Sequence, residues 1–71
     1  MLTTTETIST AIGTISYFSL AKWLDITFNR GVRYRYHNVP NIRFRELIDA
    51  ESVGKYYNQH IRNEYRCEKC D

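Results

Sequence analysis

The stretch LAKWLDITFNRGVRYRYH, Leu20 to His37, decides how this chain folds. Leu24, Ile26 and Phe28 alternate with Trp23, Asp25 and Thr27; Val32, Tyr34 and Tyr36 alternate with Arg33, Arg35 and His37. Alternation of period two puts each set on its own face of a strand. Between the runs, Asn29-Arg30-Gly31 offers a three-residue loop with Gly available for the left-handed position. Pairing Phe28 with Val32 sets the register. Ile26 then faces Tyr34 and Leu24 faces Tyr36 on a core face. On the other face Asp25 opposes Arg35, Thr27 opposes Arg33 and Trp23 opposes His37. Opposite charges directly across a strand pair favour this alignment.

Working outward, Ile8 to Tyr17 is rich in Ile, Thr and Ser and predicts a first strand, interrupted at Gly13. Met1 to Thr7 reads as a loose lead-in. Val39-Pro40-Asn41 ends the sheet, because Pro cannot donate to a ladder. Asn41 is placed to cap a short helix over Ile42 to Ile48, with Phe44, Leu47 and Ile48 inward, and Asp49 to cap a longer one from about Ala50 to Arg66. Val53, Tyr57, Ile61 and Tyr65 recur there at helical spacing. Gly54 shares that stripe, which suits a helix lying close on a sheet. Lys55, Arg62 and Arg66 fall together on the opposite side. The expected architecture is α+β: a three-stranded antiparallel meander with one face covered by a short helix and a longer C-terminal helix. Trp23, Arg33, Arg35 and His37 lie on the open face.

The totals bound what such a domain does. Its 71 residues make one domain, with a core at residues 8–65 and a tail at 66–71. A core this small contributes only roughly 3–5 kcal/mol, which leaves little to support a charged catalytic cleft and makes a homo-oligomer a natural way to bury more surface. Aromatic residues reach 14%, six of them Tyr. The net charge of +2 permits attraction to nucleic acid without demanding it. No apolar run approaches the ~20 residues of a membrane span, and the polar start lacks the pattern of a signal peptide. No membrane association and a cytoplasmic setting are expected.

The ordered elements resemble the KTSC domain, a short module found at the C-terminus of some lysyl-tRNA synthetases and as a stand-alone bacterial or phage protein. The matching residues are Leu24-Asp25-Ile26-Thr27-Phe28, Gly31, Tyr34-Arg35-Tyr36, Val39-Pro40, and the run from Ala50 through Ser52, Gly54, Tyr56-Tyr57-Asn58 and Ile61 to Tyr65. The resemblance implies no established activity; the synthetase context suggests RNA binding. Arg66 to Asp71 lies outside the family pattern.

Among candidate sites, Tyr34 and Tyr36 could stack bases, but in this register they share the Leu24 face and read as core. Trp23, Arg33, Arg35 and His37 suit phosphate contact with stacking or a protein hot spot. A solvated face with a cross-strand ion pair explains them equally. Lys55, Arg62 and Arg66 form a second basic surface, although cations late in a helix also complement its dipole. Cys67 and Cys70 supply half of a tetrahedral zinc site, to be completed by His60 or by a second copy; a frayed, reduced tail is the simpler expectation. No nucleophile–base constellation and no phosphate loop can be built. The sequence therefore predicts a non-enzymatic module without a cofactor, binding RNA or another nucleic acid through the Trp23–Arg33–Arg35 face. The alternative is a protein-interaction module, such as a phage or mobile-element product docking on a host protein.

Overall fold

The computed structural model describes residues 2–6 and 11–70. Its central hairpin follows the alternation of Leu24 to Tyr36. Strand β3, Trp23–Phe28, pairs antiparallel with β4, Arg33–Tyr36, in the register Leu24–Tyr36, Asp25–Arg35, Ile26–Tyr34 and Thr27–Arg33. The turn closes with the Phe28 amide donating to the Val32 carbonyl at 2.8 Å and Gly31 at φ +96°. Glycine reaches that dihedral at no steric cost.

The sheet is larger than a three-stranded meander. Strands β1 (Leu2–Glu6), β2 (Ile12–Phe18), β3, β4 and β5 (Cys67–Cys70) form one antiparallel sheet in sequence order. The Thr-rich start is thus an edge strand, not a lead-in, because β-branched residues suit an extended backbone whether or not they are apolar. The CEKC tail is likewise a strand. It satisfies the edge of β4, whose peptide groups would otherwise face water unpaired. The first predicted strand shortens to Ile12–Phe18; its expected start at Ile8 to Thr10, and Met1 and Thr7 of the lead-in, lie outside the described residues. Leu20 belongs to the turn before β3, in which Lys22 is left-handed at φ 58°.

The interruption expected at Gly13 is a bulge, a register shift between Ile12 and Thr14. It sends Ile12 and Ile15, three positions apart, to the same face, where both are fully buried. A Cβ at Gly13 would meet Asn29 Oδ1 at 2.8 Å, so only glycine fits there without a shift of that side chain.

Helix α1 spans Asn41–Asp49 with Pro40, not Asn41, at its cap. It turns Phe44 and Leu47 onto Ile15, Tyr17, Leu24, Ile26 and Tyr36 to build the core. Tyr17 joins the layers: its ring stacks on Phe44 at 4.7 Å and its hydroxyl donates to the Val39 carbonyl at 2.6 Å. Arg43 links α1 to the following segment through the hydroxyls of Tyr56, at 3.2 Å, and Tyr65, at 3.3 Å.

The long C-terminal helix does not form. Ser52, not Asp49, caps a one-turn helix α2, Val53–Tyr56, by accepting from the Lys55 amide at 3.2 Å. The chain then widens into a π-turn over Tyr57–Ile61. Arg62 leaves the helical region and Asn63 is left-handed at φ 65°. Gly54, Asn58 and His60 are weak helix formers, and the exit at Arg62 returns the chain to the sheet as β5. The burial inferred from helical spacing nevertheless holds: Ile61 is fully buried, and Val53, Tyr57 and Tyr65 pack against the core.

Candidate binding face

All helical structure lies on one side of the sheet, leaving the opposite side to Phe18, Trp23, Asp25, Arg33, Arg35, His37 and Glu68. Asp25 is at its centre. Although it sits on the uncovered face, it is only 3% exposed. Its carboxylate oxygens accept from Arg35 Nε at 2.9 Å and Arg35 Nη2 at 3.0 Å, a forked pair between directly opposed residues. The bond to Asp25 is also the main reason the guanidinium holds its proton more firmly than usual.

Two rings lie against the guanidinium of the pair. The Arg35 guanidinium lies 4.2 Å from the Trp23 ring centre and 5.6 Å from that of Phe18. Phe18 and Trp23 face each other across β2 and β3 and meet edge to face at 5.8 Å. Trp23 touches the His37 ring edge-on at 6.3 Å, and His37 Nε2 lies 2.9 Å from Glu68 Oε1. The result is a continuous strip, Phe18–Trp23–Arg35–His37–Glu68, across four strands.

The structure brings together Trp23, Arg35 and His37 of the residues singled out from sequence. Arg33 shares their face but stands exposed, opposite Thr27 and Cys70. Lys55, Arg62 and Arg66 do not form a helical stripe: Lys55 lies on α2, Arg62 follows the π-turn, and Arg66 precedes β5, its carbonyl accepting from the His37 amide at 2.8 Å. Tyr36 is buried, as its core reading requires. Its hydroxyl bonds that of Tyr57, and burial raises it well above the ordinary phenol range, with Tyr57 adding to the effect. Tyr34 is half-buried beside Phe28, and Gly54 and Tyr57 line a hollow under the sheet. His60 stacks near Tyr56 at 4.4 Å.

The cysteines cannot act as a chelating pair. Cys67 pairs with Tyr36 and Cys70 with Arg33, which lie on opposite faces. In a strand, residues three apart point to opposite sides and stand roughly 10 Å apart. Both thiols are free, and no group of three metal-binding side chains occurs among the described residues. Phe18 and Glu68 were missed by sequence reasoning. The β2–β3 register would have revealed Phe18 opposite Trp23; Glu68 had no signal, because nothing in CEKC itself announces a strand.

The family model for the KTSC domain matches residues 8–65. The chain belongs to the KTSC domain family. An uncharacterized protein of Stutzerimonas stutzeri is 28% identical over 57 residues, 80% of each chain. A protein of Tsukamurella paurometabola is 33% identical over 58 residues, 82% of this chain and 87% of its own. The crystal structure of a KTSC domain protein from Yersinia pestis superposes with a TM-score of 0.92 at 25% identity, covering 100% of both chains. The structural likeness therefore takes in β1 and β5, which flank the residues the KTSC model matches. Among the described residues no helix is long and apolar enough to cross a membrane.

Proposed function

We propose that this KTSC domain is a non-enzymatic binding module whose open sheet face docks onto a protein surface. The observation that supports this reading is the forked Asp25–Arg35 pair held against Trp23. An arginine clamps phosphate with the fork of its guanidinium. Here Asp25 occupies two of its donors, and Glu68 engages His37. Arg33, on the same face, makes no ion pair among the described residues. What remains is a nearly neutral surface of ring edges around a fixed, largely desolvated charge pair, which is the composition of a protein hot spot. The fitting partner presents an apolar centre with a carboxylate reaching Arg33. A non-catalytic role accords with the histidines, each held by a separate neighbour.

Capture from lysate with wild type and a Trp23→Ala variant, followed by hydrogen-exchange mapping of the reconstituted complex, tests the reading. The expected result is a protein retained by wild type, lost with Trp23→Ala, and protecting amides of β3 and β4. Fluorescence anisotropy with single-stranded RNA provides the opposing arm. RNA binding that weakens steeply with salt and depends on Arg33 would replace the protein reading with a nucleic-acid one.

A further inference from the structure

On the helix side of the sheet, near the turn that joins β3 and β4, the core does not close. A hollow of about 410 Å³ opens between the ends of β3 and β4 and the segment from Gly54 to Tyr65. That falls within the range of small-molecule sites, roughly 300–1,000 Å³. It lies across the sheet from the open face and is independent of the reading given for that face.

Three features define what fits there. The first is ring surface. Phe28 meets Tyr34 at 6.0 Å and Tyr57 at 5.5 Å, both edge to face, and all three rings are only partly buried. A flat ring can lie against them without displacing core packing. The second is charge. Arg30, from the β3–β4 turn, and Arg62, from the exit of the π-turn, line the same hollow although 32 positions apart in sequence. Both are exposed, and among the described residues neither makes an ion pair and no aspartate or glutamate lines the hollow. The third is how Arg62 is held. Its amide donates to the Tyr57 carbonyl at 2.9 Å across the π-turn, and the left-handed Asn63 follows it. The wide turn thus sets an aromatic side chain and a guanidinium at one opening; π-turns recur at functional sites.

We propose that this hollow binds a small, flat aromatic anion, its ring against Phe28, Tyr34 and Tyr57 and its phosphate or carboxylate between Arg30 and Arg62. The test is a heteronuclear NMR titration of the whole chain with four probes: adenosine monophosphate, indole-3-acetate, adenosine and inorganic phosphate. At least one of the two aromatic anions should shift the amides of Tyr34, Tyr57, Asn58 and Asn63 saturably while leaving Trp23 unmoved, and which of them binds identifies the anionic group. Adenosine and inorganic phosphate should each bind about tenfold or more weakly, since each lacks one half of the recognition. Arg30→Ala and Arg62→Ala should each weaken the aromatic anion about tenfold, whereas Arg66→Ala, outside the hollow, should leave it unchanged. Both arginines project into water, so the variants should keep the wild-type core resonances. The proposal is overturned if neither aromatic anion binds, if adenosine binds as tightly as its monophosphate, or if Arg66→Ala weakens binding as much as Arg62→Ala.

Discussion

The same strands present two faces, and they are organised by different physics. Under the helices, Ile15, Tyr17, Leu24, Ile26 and Tyr36 form a dry layer closed by Phe44, Leu47 and Ile61. Across the sheet no helix covers the residues, yet Asp25 is as buried as Tyr36, 3% exposed in both cases. It is shielded by its own neighbours: Arg35 forks onto it, and Trp23 and Phe18 flank the guanidinium. The core side excludes water by volume, the open side by a single ion pair with ring walls. A small domain can therefore keep one face uncovered and still hold a charge out of solvent there, provided the counter-charge comes from the residue directly across the strand pair.

The comparison can be broken most severely from the core side. Leu24 is fully buried in the middle of the sheet. Leu24→Ala should destabilise the domain by about 3 kcal/mol, transfer and cavity terms together, seen as a lower urea midpoint with an unchanged slope. In a domain of this size that is a large share of the total. A loss below about 1 kcal/mol would mean that the core relaxes freely and is not the rigid layer described.

On the open side, Asp25→Asn keeps the shape and removes the charge. Breaking a fully buried pair costs roughly 3–5 kcal/mol. Arg35 retains 24% side-chain exposure, so water relieves part of the penalty; about 2 kcal/mol is expected. The double variant Asp25→Asn/Arg35→Gln should recover at least half of that loss, because no unpaired charge remains. Additive losses in the cycle would show that the two side chains act separately and that the face is only a solvated sheet.

Alkaline pH separates the faces by another route. Burial raises Tyr36 and, on its own, Tyr17 above the ordinary phenol value. Above about pH 10 the unfolded chain loses protons that the folded chain keeps. Stability contributed by these hydroxyls is thus complete below pH 10 and falls as pH rises further, at most about 1.4 kcal/mol per pH unit for each group. Urea melts at pH 9, 10 and 11 should show that fall, and Tyr36→Phe should flatten it. A curve unaffected by that variant would place the Tyr36 hydroxyl in contact with water.

How much of this was legible follows from where each signal resides. The β3–β4 hairpin was readable because both strands alternate cleanly and Asp25 opposes Arg35, so pattern and charge agree on one register. The open-face strip was half readable for the same reason: Trp23, Arg35 and His37 came from the hairpin, while Phe18 needed the β2–β3 register that the bulge at Gly13 obscures. The C-terminal segment misled because a spacing of four at Val53, Tyr57, Ile61 and Tyr65 reports burial correctly whether the backbone is a regular helix or a short helix continued by a π-turn. Strand β5 was illegible because its extended form is imposed by the free edge of β4, a tertiary cause absent from CEKC itself. Placing the tail as a strand also parts the two cysteines onto opposite faces, so they do not form a chelating pair.

The smallest effect sharpens the comparison furthest. Glu68 on β5 holds His37 at the rim of the open-face strip, but it is 59% exposed, against 4% for the side chain of Asp25. Solvent screens a pair of that kind, and exposed pairs contribute roughly 0–1 kcal/mol. Glu68→Gln keeps an oxygen able to accept from His37, so the urea midpoint should move by less than about 0.5 kcal/mol in equivalent stability. The two carboxylates flank β4 from its two sides, Asp25 bound to Arg35 directly across the pair and Glu68 bound diagonally to His37, and they differ most in access to water. If Glu68→Gln proved as costly as Asp25→Asn, burial would not be what distinguishes them. The tail strand would then hang on that single bond, and the strip would extend as a tightly held unit to the sheet edge.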